Sequence, residues 1–138
     1  MVDSAKNMLE NKKDFLLGTD VLDTKTEKLF SLINKINRIV GFEKCKDEIH
    51  SVFFALVHFA DHNLKDLELL LKGKKCKTFD TQINHNKKFI ESIIKFQKDY
   101  NSGKDNLCRD LLEYIVSWTI EQKEIDLLSV SILTEDKV

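Results

Sequence analysis

The side chains best equipped for chemistry in this sequence are four histidines, three cysteines and a set of amides that interrupt apolar stripes. His58, His62 and Asp66 recur every fourth residue, a spacing that stacks them along one flank of a helix. Two imidazoles at i, i+4 can hold Zn2+ or Ni2+ weakly, but further ligands have to come from another segment. A polar boundary stripe needs no such help and is the plainer expectation for these three. Cys45, Cys76 and Cys108 lie far apart with no CxxC pair, and the opening MVDSAKNMLENKKD carries no apolar leader stretch. An odd count in that context reads as free thiols in a reducing cytoplasm. No Gly-rich phosphate loop, nucleophile elbow or Cys–His pair at helical spacing occurs, so no catalytic residue is expected and the chain is read as a non-enzyme. Glu68 and Glu121 are expected on solvated faces.

The elements that would position these groups are all helical. Proline is absent, and of the four glycines Gly41, Gly73 and Gly103 fall between long periodic stretches, where they can end helices. Apolar residues recur at helical spacing over about residues 23–40, 46–71, 80–101 and 105–130. The inner faces so defined include Leu22, Leu29 and Ile33; Leu56, Phe59 and Leu67; Phe89, Ile90 and Ile93; and Leu111, Ile115 and Leu128. Thr26, Asn63, Gln82, Asn86 and Gln122 fall on those stripes, so each helix sends an uncharged polar group towards a common axis. Buried amides and hydroxyls cost about 1–3 kcal/mol each if unsatisfied, so the five are expected to bond one another. The alternative is that each sits at a half-wet boundary. The fold predicted is all-α: an up-down-up-down four-helix bundle forming one domain over residues 1–138, with an N-terminal arm at 1–19 and a tail at 131–138.

Composition agrees with that architecture. The chain has 138 residues, 42% hydrophobic and 33% charged, with acids and bases interspersed to a net charge of -1. There is no basic stripe for nucleic acid and no apolar run of membrane-spanning length.

With the stripes in place, the sequence resembles the bacterial hemerythrins along nearly its whole length. In LLGTDVLDTKTEKLFSLINKI, the residues Gly18, Asp20, Asp23, Leu29, Phe30, Ile33 and Asn34 match that family's opening motif, but Thr26 stands where it has a ligand His. In LVHFADHNLKDLELLL, Phe59 matches an aromatic position, while Asn63 replaces a ligand His and Leu67 a ligand Glu. TQINHNKKF puts Gln82 and Asn86 at a His-x-x-x-His pair and keeps Phe89. WTIEQKEIDLL keeps Trp118 but has Gln122 at a His and Leu127 at an Asp. The Trp that usually precedes the first Gly is missing as well.

The resemblance implies a hemerythrin-like bundle whose di-iron ligands are gone, because Thr, Asn, Gln and Leu cannot supply imidazole nitrogens and bridging carboxylates. No cofactor and no metal site are expected. His62, Asp66, His85 and Asp126 each lie one place before a ligand position, but a one-residue shift turns a helix by about 100° and would expose Phe59, Leu67 and Phe89. His62 and Asp66 are therefore expected beside the core or against a neighbour. Asp126, four after Gln122, is the ambiguous one; pointing inward it would want a donor such as Gln122 or Thr26.

The leading functional expectation is a cytoplasmic, metal-free protein-interaction or structural scaffold, in a signalling or motility assembly by analogy with the family. Its partner is an unidentified protein or a second copy, reached through the arm before Phe15, the Gly73–Thr78 loop or the tail from Ser129 to Val138. The alternatives are a small-molecule sensor using the vacated centre, with Thr26, Asn63, Leu67, Gln82, Asn86 and Gln122 around the ligand, and a di-iron oxygen-binding protein.

Overall fold

A computed structural model describes residues 3–134. Every regular element among them is helical: α1 (Asp3–Glu10), a 3-10 turn (Lys12–Phe15), α2 (Asp20–Gly41), α3 (Cys45–Phe59), a π-helical segment (Ala60–Leu64), α4 (Lys65–Gly73), α5 (Phe79–Asn101) and α6 (Leu107–Thr134). α2 packs against α3 and α6, and α5 packs against α3, α4 and α6, so the helices enclose one interior.

The lead into α2 is shaped by Gly18 and Asp23. Gly18 sits at φ 84°, a conformation open to glycine, and turns the chain into the helix. The Asp23 carboxylate accepts the backbone N–H groups of Leu17 at 2.8 Å and Gly18 at 2.9 Å, pinning that turn. Before it, α1 folds back onto α2 and α6 and buries Ala5 and Met8 in the main core. The arm expected to reach for a partner is thus part of the bundle, because Ala5 and Met8 lie one turn apart on an apolar face.

The second long helix is interrupted. A π-helical segment is in effect one extra residue in an α-helix, and it rotates all that follows. The buried face runs Leu56, Phe59, Ala60 and then Leu64, Leu67 and Leu71. Asn63, expected on the axis, is displaced from it by Leu64 and is only half-buried.

Two further expectations fail at the edges of the stripes. Ile90 and Leu128 are exposed rather than inward. Ile90 directly follows buried Phe89 and Leu128 directly precedes buried Ser129, each on the outer side of the arc the bundle covers. The loop and tail are also drawn in: Cys76 and Thr78 are buried, the Thr78 hydroxyl is hydrogen-bonded to that of Ser129 at 2.6 Å, and Leu133 is buried near the end of α6. Residues 135–138 of the proposed tail lie outside the described residues.

The cysteines correct the reading of three free thiols. Cys45 and Cys108 form a disulfide with Cα atoms 5.8 Å apart, across 63 residues of sequence, and Cys76 alone is free. Spacing gave no hint of this pair because it is the packing of α3 beside α6 that brings their first turns together. Among the described residues no helix is long and apolar enough to cross a membrane.

Candidate functional site

The interior is two apolar clusters with a polar layer between them. The larger contains Leu29 of α2, Leu64, Phe89 of α5 and Trp118 of α6; the smaller contains Leu22 of α2, Leu67 and Leu71 of α4, and Leu133 of α6, with Phe79 of α5 packed against it. Moving along α2, α5 or α6 from one cluster to the other passes a polar position: Lys25 and Thr26, Gln82 and Asn86, or Gln122 and Asp126.

These groups form a continuous chain of hydrogen bonds. Lys25 Nζ donates to Asp126 Oδ2 in a buried ion pair. Gln122 Nε2 donates to Asp126 Oδ1 at 2.8 Å, as their i, i+4 spacing on α6 allows. Gln122 and Gln82 exchange a reciprocal amide pair, Nε2 to Oε1, at 2.6 and 2.8 Å. Gln82 Nε2 also reaches Asn86 Oδ1 at 2.7 Å, and Asn86 Nδ2 donates to Glu68 Oε2 at 2.7 Å and more weakly to the Leu64 carbonyl at 3.4 Å. The chain therefore links α2, α6, α5 and α4 through a lysine, two carboxylates and three amides. Burial pulls Lys25 below its ordinary 10.5, and Asp126, with Asp23 further off, pulls it back up.

Of the six positions singled out from sequence, Gln82, Asn86 and Gln122 lie in this chain, Thr26 is buried next to Lys25, and Leu67 is fully buried in the smaller cluster. Asn63 is not brought to them and instead lines shallow hollows on either side of the π segment. Lys25 was missed, and Glu68, expected in solvent, is a partner of Asn86. Asp126, ambiguous from its spacing, points inward, with Gln122 as one donor. Phe59, Leu67 and Phe89 are buried, as the unshifted register requires, and His62 and Asp66 are exposed, while His85 and Asp126 are buried. Leu127, matched to the lost Asp, is 46% exposed. The one missed signal in the sequence is that Lys25 falls three after Leu22 and four before Leu29, squarely on an apolar stripe.

His85 has its own partners. Its ring stacks on Trp118 at 4.3 Å and 8°, its Nε2 lies 3.2 Å from the Trp118 carbonyl, and Trp118 Nε1 donates to the His85 carbonyl at 3.1 Å. Since a carbonyl only accepts, the His85 proton resides on Nε2. The ladder of His58, His62 and Asp66 is only half assembled. The two imidazoles lie 4.1 Å apart, whereas exposed Asp66 lines a hollow with Asp20 and Thr24. Among the described residues no three His, Cys, Asp or Glu side chains are grouped to hold a metal ion.

Comparison with known proteins adds one relative. A bacteriohemerythrin of Clostridium acetobutylicum is 26% identical over 119 residues, which cover 80% of this chain and 88% of that protein. The chain is similar to that bacteriohemerythrin along most of its length. No family model and no solved structure matches it.

The residues of this layer do not fit a di-iron centre. Where such a centre needs imidazoles and bridging carboxylates, the layer offers neutral amides, and the ammonium of Lys25 occupies the side of Asp126 that a cation would use. Glu68 is already engaged by Asn86. The layer between the two apolar clusters is cross-linked by these hydrogen bonds and the Lys25–Asp126 ion pair.

Proposed function

We propose that this hemerythrin-like chain is a metal-free protein of the cytoplasm, serving as a protein-interaction or structural scaffold rather than as an enzyme or oxygen binder. The observation that carries the metal-free part is the Lys25–Asp126 pair with the amide chain behind it, which satisfies the interior with protein groups alone. A complete polar network of this kind fixes helix register, as a buried Asn does in a coiled coil.

The scaffold part draws support from the outer surface. α3 presents Phe54, 75% exposed, together with Val57, and α5 presents Ile90 and Ile94. Val57, Ile90 and Ile94 border a hollow of about 190 Å3 between the two helices. Apolar side chains gathered in this way on a soluble helical face suit contact with another protein. A sensor that holds a small molecule at the vacated centre draws less support, since Gln82, Gln122 and Asp126 fill that space by bonding to one another.

The test is metal content and the visible spectrum of untagged protein from iron-supplemented cells, followed by sedimentation of the same sample. The expected result is a folded, helical, iron-free protein that stays folded in chelator and associates through the α3–α5 face, with association lost in Val57→Lys and Ile94→Lys. About two irons per chain with an oxo-bridge band, or a chain that neither self-associates nor loses a partner in those variants, would overturn the reading.

A further inference from the structure

The Cys45–Cys108 disulfide lies far from the polar layer; Cys108 precedes Gln122 on α6 by roughly 20 Å of helical rise. Three features distinguish it from a buried staple. Each sulfur belongs to the first turn of a helix, Cys45 as the first residue of α3 and Cys108 as the second of α6. There the unpaired N–H groups and the positive end of the helix dipole stabilise negative charge on sulfur. Next, the two residues differ in access. Cys108 is buried and Cys45 only half-buried, yet both line a hollow of about 620 Å3 shared with Lys46, Lys104 and Arg109 as well as Glu43, Asp47 and Asp105. Lastly, each cysteine follows by two residues a non-glycine held at positive φ: Glu43 at 55° before Cys45, and Asn106 at 58° before Cys108. Such backbone persists only while its surroundings hold it.

We propose that Cys45 and Cys108 form a reversible thiol–disulfide couple whose chemical partner is a dithiol, admitted through this hollow and attacking Cys45. One thiolate of the dithiol bonds to Cys45 Sγ, the Cys45–Cys108 bond breaks, and its electron pair leaves on Cys108, stabilised at the start of α6. The second thiolate attacks the reagent's own sulfur in that mixed disulfide and expels Cys45 as thiolate. The dithiol departs as a disulfide, two electrons have passed to the protein, and the two protein sulfurs take up the protons the dithiol released. Reduction unties the α2–α3 turn from the α5–α6 turn while leaving the polar layer intact. The proposal stands independently of the metal-free reading, since the cysteines take no part in the layer.

The test holds the oxidised full-length protein under native conditions in graded ratios of oxidised to reduced dithiothreitol, followed by acid quench, alkylation and peptide mapping, which separates Cys76 from the pair. The expected result is one reversible two-electron transition that labels Cys45 and Cys108 together. In the reduced form the amides around 43–47 and 104–109 exchange at least tenfold faster, with those of Gln82 and Gln122 unchanged. A bond that opens only after denaturation, or cysteines that stay unpaired in fully oxidised reagent, would overturn the proposal. The site of attack is read by offering oxidised glutathione to the two single variants. Cys45 in Cys108→Ser should acquire the adduct at least tenfold faster than Cys108 in Cys45→Ser; equal rates would overturn the assigned order.

Discussion

Lys25 is 2% exposed, and what makes an ammonium tolerable at that depth is the Asp126 carboxylate, itself held by Gln122. Removing one member of such a pair leaves the other charge buried without compensation, which costs about 3–5 kcal/mol, whereas replacing both by apolar groups is often neutral or better. Lys25→Met should therefore lower stability by about that amount in urea unfolding, and adding Asp126→Leu should restore most of it. A double variant as unstable as the single would show that the pair supplies net stability. His85 makes a second prediction at this scale. Burial is the main reason it lies below its ordinary 6.5; its bond to the Trp118 carbonyl and the nearby Glu121 oppose the shift, and Lys88 and Lys25 add to it. As pH falls, the unfolded chain takes up this proton before the folded one does. Stability is thus full above about 6.5, declines between there and the depressed folded value, and levels off below it. Urea midpoints followed from about pH 8 to about pH 5 should show this decline, and His85→Gln should flatten it. An unchanged slope in the variant would assign the pH dependence elsewhere.

At the scale of elements, the π segment at Ala60–Leu64 decides which residues of the second long helix face inward. Read as an unbroken α-helix, the stripe through Phe59 and Leu67 places Asn63 on the axis; with the extra residue, Leu64 takes that place and Asn63 moves to the flank. Because the segment amounts to one inserted residue, deleting exposed His62 should regularise the helix and leave the apolar face in phase. We expect such a deletion to cost about 1 kcal/mol or less. Deleting Lys88 from the unbroken α5 turns everything beyond it by about 100° and should abolish the cooperative thermal transition. Circular dichroism melts compare the two, and equal damage from both would refute the inserted-residue description. The helices themselves were legible because periodicity is a local property of the chain. The phase slip was not, since nothing in ADHNL distinguishes a π turn from an α turn until the packing of α2 and α5 selects one.

For the whole molecule, the disulfide is the longest covalent constraint, closing a loop across 63 residues. A chain-entropy account assigns such a loop roughly 4 kcal/mol of stabilisation through the unfolded state. Cys45→Ser with Cys108→Ser should lower the unfolding free energy by up to that amount while preserving helical content. A loss near zero would mean that the two helix starts stay together in the unfolded chain. The apolar face of α3 and α5 belongs to this scale too, because Val57, Ile90 and Ile94 come from separate helices and become one surface only when α3 lies beside α5.

What the sequence determined by itself is what short-range order controls. The spacing of Leu29, Ile33 and Ile36, or of Gln82, Asn86 and Phe89, fixes helices and their inner faces, and it sets the polar groups of Thr26, Gln82, Asn86 and Gln122 on those faces. The tertiary structure decided which groups meet. Lys25 and Asp126 are 101 residues apart and Cys45 and Cys108 are 63 apart. No local pattern encodes whether such distant residues approach, because the approach follows from how whole helices pack. A buried charge or a lone sulfur acquires its chemistry only from the neighbour that packing supplies.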